Sequence, residues 1–130
     1  MYKKDHMKKI ILLVEDDPDG NLLISYILTH RGYDVRSAAS AEDALEMLKT
    51  IIPDIIIADI SLPKMDGKEL IKRIRLEEKF SNICAIAVTA FVTLDNKYEI
   101  LNCGFDDFIK KPVQVPKFVD EIEEIYLRKK

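Results

Sequence analysis

The stretch DIIIADI, Asp54 to Ile60, is an apolar run with a carboxylate near its end. Ile55, Ile56, Ile57 and Ala58 follow one another with no polar alternation. So short a continuous run predicts a strand buried on both faces, as in a parallel sheet covered on both sides. Two more runs share the pattern, KKIILLV (8–14) and ICAIAVTA (83–90). YDVRSA (33–38) alternates, and FDDFIKK (105–111) is a short fifth strand candidate. Between these runs lie stretches of helical period: PDGNLLISYILTHRG (18–32), SAEDALEMLKTI (40–51), DGKELIKRIRLEEK (66–79), TLDNKYEILNCG (93–104) and VPKFVDEIEEIYLRK (115–129). Pro18 suits a first helical position, and Gly32 suits the position just past a helix end. Ser40-x-x-Asp43 is close to a capping box. Five strands in strict alternation with five helices predict an α/β fold, a doubly wound parallel sheet with helices on both faces.

The 130 residues suit one domain, and 48% apolar content supplies a full core. Charged residues make up 33% and the formal net charge is −3, which argues against a general DNA or bilayer binder. No apolar run is long enough to cross a membrane. MYKKDHMKK at the start carries charge without a signal-type apolar segment after it. Cys84 lies in an apolar run, Cys103 precedes a glycine, and no CxxC occurs, so both read as reduced core thiols of a cytoplasmic protein. The expected organisation is a flexible tail over 1–7, one domain over 8–128 and a tail at 129–130.

Open α/β sheets place their sites beyond the carboxyl ends of the strands. Glu15, Asp16 and Asp17 follow the first strand, Asp59 the third, Thr89 and Ala90 the fourth, and Lys111 and Pro112 the fifth. Taken singly, each has an ordinary reading. EDD is a solvated loop, an Asp after a strand is a cap, Thr89 is a strand residue and Lys111 is an exposed lysine. Asp17 keeps the structural reading, as the cap of the helix that Pro18 begins. Their convergence on one rim reverses the judgement for the rest. Glu15, Asp16 and Asp59 crowd negative charge, which a divalent cation relieves. Oxygen-only ligands suit Mg²⁺. A cation with open positions grips a phosphoryl group, Lys111 neutralises its oxygens, Thr89 donates to it, and a carboxylate remains as nucleophile.

The motifs LLVEDDP, PDIIIADISLPKMDG, AVTAF and DFIKKPV resemble those of the receiver domains of two-component response regulators, over roughly Lys8 to Tyr126. The second motif is the most specific, because LPKMDG follows Asp59 at the family's spacing. The resemblance implies a flavodoxin-like sheet of order 2-1-3-4-5. It implies that Asp59 is the phosphoryl acceptor and that Mg²⁺, or Mn²⁺ in its place, is held by Asp16, Asp59, the backbone carbonyl of Ser61 and, through a water, Glu15. Glu15 stands where many members have Asp. Thr89 would close onto the phosphoryl group beside the small Ala90, and Lys111 would pair with it next to a cis bond to Pro112. Phe91 and Ser61 occupy the positions that tune phosphoryl lifetime, and a bulky Phe91 would shield the acyl phosphate. Phe108 occupies the switching aromatic position, without the hydroxyl of the usual Tyr, and Tyr98, Phe108, Val113 and the last helix would form the face that partners read.

The implied function is a phosphoacceptor signalling switch rather than an enzyme. It would be charged by a histidine kinase or histidine phosphotransfer protein and read by a downstream protein target, as a monomer or weak dimer. The rivals are a receiver-like binding module that needs no phosphate and a Mg²⁺-dependent phosphohydrolase of the haloacid-dehalogenase type. The second needs its nucleophile in a DxD at the first strand end, and Asp17-Pro-Asp19 falls in a helix start. A flavodoxin would carry a Ser/Thr/Gly-rich loop where this chain has acid, and no P-loop or GxGxxG occurs. His30 reads as a helix C-terminal residue, and His6 lies in the tail.

Overall fold

The computed structural model describes residues 8–90 and 92–129. The expectations for the N-terminal tail, His6, Phe91 and Lys130 lie outside the described residues.

The sheet contains β1 (Ile10–Val14), β2 (Asp34–Ala38), β3 (Ile55–Asp59), β4 (Cys84–Thr89) and β5 (Asp107–Lys110). Its order is β2-β1-β3-β4-β5, and each neighbouring pair is parallel. The crossovers are α1 (Pro18–His30), α2 (Ala41–Met47), α3 (Gly67–Arg75) and α4 (Leu94–Asn102), and α5 (Val115–Lys129) follows the last strand. Side chains alternate between two apolar layers, as the pleat requires. Leu12, Val14, Ile56, Ala58, Ala85 and Ala87 pack with residues of α2, α3 and α4. Ile11, Leu13, Ile55, Ile57, Ile86 and Val88 pack with residues of α1 and α5. Every residue of β3 is buried, which is why its sequence shows no alternation. Burying each of its isoleucines contributes about 1.5–3 kcal/mol. Both cysteines are free and buried, and burial pushes the Cys84 thiol up to about 11.

Caps set the helix starts. Asp17 accepts from the Gly20 amide at 3.0 Å, Ser40 from the Asp43 amide at 3.0 Å and Asp66 from the Glu69 amide at 2.9 Å. Thr93 and Asn96 cap each other reciprocally. Gly32, just past α1, has φ +104°, which glycine adopts without strain.

Two helices are shorter than their periodicity suggests. Before Pro53 the β-branched run Thr50-Ile51-Ile52 resists continuing α2, and the Thr50 amide and hydroxyl both donate back to the Met47 carbonyl. Beyond α3, the Arg75 guanidinium donates to the carbonyls of Phe80, Ser81 and Ile83. The chain therefore curls around Arg75 through a 3₁₀ turn at Glu78–Phe80 instead of extending the helix. Arg75 also bonds Gly104 O and Asp106, and β5 starts at Asp107 rather than Phe105.

Candidate functional site

Parallel strands deliver their carboxyl ends to one rim, and the five site residues arrive there from four of them. Glu15 is the first residue past β1, and its amide donates to Ala38 O at 3.0 Å. Asp16 follows and is exposed. Asp59 ends β3 and Thr89 ends β4, both buried. Lys111 lies just past β5, with its amide donating to Thr89 O at 2.8 Å. Its side chain reaches across two strands, placing Nζ 2.7 Å from Glu15 Oε1 and 2.8 Å from Asp59 Oδ2. The other oxygens are held by local amides. Asp17 N donates to Glu15 Oε2 at 3.1 Å, and Ser61 N donates to Asp59 Oδ1 at 2.9 Å.

One carboxylate oxygen each from Glu15, Asp16 and Asp59 lie within 4.8 Å of one another. Three carboxylates and one ammonium leave a formal charge of −2 there. Burial pushes the Glu15 carboxyl above its usual range, against the lowering by Lys111 and the Asp17 amide. Burial pulls Lys111 down, but its bonds to Asp59 and Glu15 outweigh that and hold its pKa above the ordinary value. The cost of burial falls mainly on Glu15, whose side chain is 2% exposed, against 26% for Lys111. An all-oxygen donor set with excess negative charge, open to solvent at Asp16, fits a hard divalent cation such as Mg²⁺.

The remaining expected positions lie around this cluster. Ser61 folds back onto Asp59 through its amide. Ala90 is exposed directly after Thr89. The Lys111–Pro112 bond is cis, as expected. Phe108 is half-buried against the layer formed by α2, α3 and α4, with Lys97 Nζ 6.0 Å from its ring centre. Tyr98 is 68% exposed, so it does not share that packing. Phe91 lies outside the described residues.

Two contributors are not evident in the sequence reading. A Cβ on Gly67 would sit 2.8 Å from Ile60 Cα and collide with the Asp59 carbonyl oxygen. Only glycine lets α3 start against the end of β3, where its amide donates to Ile60 O at 2.9 Å. The signal is a glycine opening a helix directly after its cap, at a propensity cost. Asn21 donates its side-chain amide to Glu15 O at 3.0 Å. In the sequence it reads as one more polar residue of α1. A groove of about 530 Å³ runs beside it, lined by Asp16, Pro18, Asn21, Leu22, Ser25 and Ser37 among others.

Residues 11–123 match the model of the response regulator receiver domain family. The polar-differentiation response regulator DivK of Brucella ovis is 32% identical over 117 residues, covering 90% of this chain and 95% of that one. A CheY-like response regulator receiver domain protein from Methanospirillum hungatei superposes with a TM-score of 0.86 at 31% identity, over 95% of this chain and 97% of that one. The receiver domain of the sensor histidine kinase PA1611 from Pseudomonas aeruginosa, solved with a magnesium ion coordinated in its active-site cleft, gives a TM-score of 0.81 at 30% identity, over 94% and 97%. Fold, strand order and family match agree, and the chain belongs to the receiver domains of two-component response regulators.

Proposed function

We propose that Asp59 takes a phosphoryl group from a phosphohistidine of a histidine kinase or histidine phosphotransfer protein, and that the acyl phosphate reshapes the surface built by α4, β5 and α5. The observation that carries this reading is the seat of Asp59. It is a buried carboxylate at a strand end, held by one ammonium and one amide, with two further carboxylates alongside. Glu15, Asp16, Asp59 and the Ser61 carbonyl would hold Mg²⁺, which neutralises charge on the transferring group. The magnesium in the PA1611 receiver supports the same assignment here.

An Asp59 carboxylate oxygen attacks phosphorus. The phosphorus–nitrogen bond to the donor imidazole breaks, the imidazole keeps that electron pair, and an acyl phosphate remains on Asp59. Lys111 is already 2.8 Å from Asp59 and balances the incoming charge. Thr89 donates its hydroxyl to the new oxygens, and the small Ala90 leaves room for them. The shift of Thr89 opens space for half-buried Phe108, whose movement changes the surface built by α4, β5 and α5. Phe91, two residues past Thr89 in the sequence, would tune the lifetime of the acyl phosphate.

The test is incubation with Mg²⁺ and a small acyl-phosphate donor, followed by intact-mass measurement and then by a cognate kinase. A labile phosphoryl adduct is expected in wild type and none in Asp59→Asn. No adduct from either donor, or an undiminished adduct in Asp59→Asn, would overturn the proposal and leave a receiver-like module that works without phosphate.

A further inference from the structure

We infer that Asn21 is a positioning residue for the acidic site, aiming Asp16 by locking the peptide plane that joins Glu15 to Asp16; this rests on the metal reading given under Proposed function. The β1–β2 ladder ends where Val14 pairs with Ala38. The last main-chain bond runs from Glu15 N to Ala38 O at 3.0 Å. Beyond it the two chains diverge toward α1 and α2, and the Glu15 carbonyl has lost its place in the sheet. Asn21 Nδ2 supplies the missing donor, 3.0 Å from Glu15 O and 3.5 Å from Ala38 O. One side-chain amide thus ties the ends of both strands together.

The amide is itself oriented. Ser25 Oγ donates to Asn21 Oδ1 at 3.3 Å, which turns the NH₂ end toward the carbonyls. Asn21 is anchored in the first turn of α1, its own amide 2.9 Å from Asp17 O. The consequence falls on Asp16. Glu15 has Lys111 and the Asp17 amide to fix its carboxylate. Asp16 is exposed, and among the described residues no ion pair or side-chain hydrogen bond holds it. Its carboxylate is therefore aimed by the backbone alone, through the plane that Asn21 pins. Binding constellations tolerate errors of only about 0.5 Å, and removing an outer-shell support typically costs about 10–100-fold in metal affinity.

The competing view is that Asn21 only stabilises the fold. The full chain is titrated with Mn²⁺ and free metal is read by electron paramagnetic resonance, for wild type, Asn21→Leu, Asn21→Ala, Ser25→Ala and Ser40→Ala. Ser40→Ala serves as the control, losing a helix cap worth about 1 kcal/mol whose side chain bonds the Asp43 amide rather than Asn21, Glu15 or Asp16. Thermal melts rank all five for stability. Asn21→Leu and Asn21→Ala are expected to bind Mn²⁺ about tenfold more weakly, Ser25→Ala less so, and Ser40→Ala as wild type does. In metal-free protein, the Asp16 amide nitrogen resonance should move in both Asn21 variants and stay in place in Ser40→Ala. Wild-type affinity in both Asn21 variants, or affinity that tracks stability through Ser40→Ala, overturns the inference while leaving the metal reading intact. A wild-type protein that binds no Mn²⁺ overturns the metal reading, and the inference with it.

Discussion

Replacing Lys111 by Met strips, among the described residues, the one ammonium that pairs with two carboxylates whose side chains are 2% and 9% exposed. Methionine keeps the length and apolar stem but cannot donate. Breaking a buried ion pair costs about 3–5 kcal/mol, because the partner is left charged and unpaired. Lys111 is 26% exposed, and the carboxylates can take up a proton, so the loss near neutral pH should be about 2–3 kcal/mol. In urea this lowers the unfolding midpoint by about 1–2 M. The pH dependence has a definite sign. The folded Glu15 carboxyl already lies above its ordinary value, and losing Lys111 removes a lowering influence, so it rises further. A carboxyl raised in the folded state contributes stability that is present at low pH and is lost as pH rises through the folded value. The gap between Lys111→Met and wild type should therefore narrow from neutral toward about pH 5. Mg²⁺ at neutral pH should also narrow it, because a bound cation replaces the missing charge. Urea titrations at both pH values, with and without Mg²⁺, measure all of this. A deficit that is the same at both pH values and blind to Mg²⁺ would refute the electrostatic account and leave a packing effect of the lysine stem.

Gly67→Ala should lower stability by about 1–2 kcal/mol, because overpacking against the Asp59–Ile60 backbone outweighs the roughly 1 kcal/mol that alanine adds to a helix. Gly20→Ala meets the far end of the Asp17 side chain at 3.1 Å and the Glu15 side chain at ordinary contact distances of 3.6 and 3.7 Å, and should be within about 0.5 kcal/mol of wild type. Thermal melts of the pair check both, and equal melting points would show that the tight approach of α3 to β3 does not constrain the fold. Arg75→Met removes donors to Gly104, Phe80, Ser81, Ile83 and Asp106, and should cost about 3 kcal/mol in urea unfolding. A loss under about 1 kcal/mol would mean that water replaces those bonds at little cost.

Much of the site was legible because the fold makes strand ends converge. Once Ile55 to Ala58 read as a doubly buried strand, Asp59 had to emerge at its carboxyl end, and the same logic carried Glu15, Thr89 and Lys111 to that rim. Helix starts were legible where a capping side chain stood next to its helix, as at Asp17 and Ser40. The early ends of α2 and α3 were less so. The end of α3 depends on Arg75 gathering carbonyls from the chain that follows, a choice that amphipathic period does not register.

The sequence alone determined the alternation of strands and helices and the chemistry gathered at the rim, because periodicity, caps and charge act locally along the chain. Tertiary structure decided which groups hold one another. It put one lysine between two particular carboxylates, demanded glycine at 67 and gave Asn21 the orphaned carbonyl of Glu15. Those pairings join residues through distances of a few ångströms set by how the elements pack, and the spacing of residues along the chain carries no record of them.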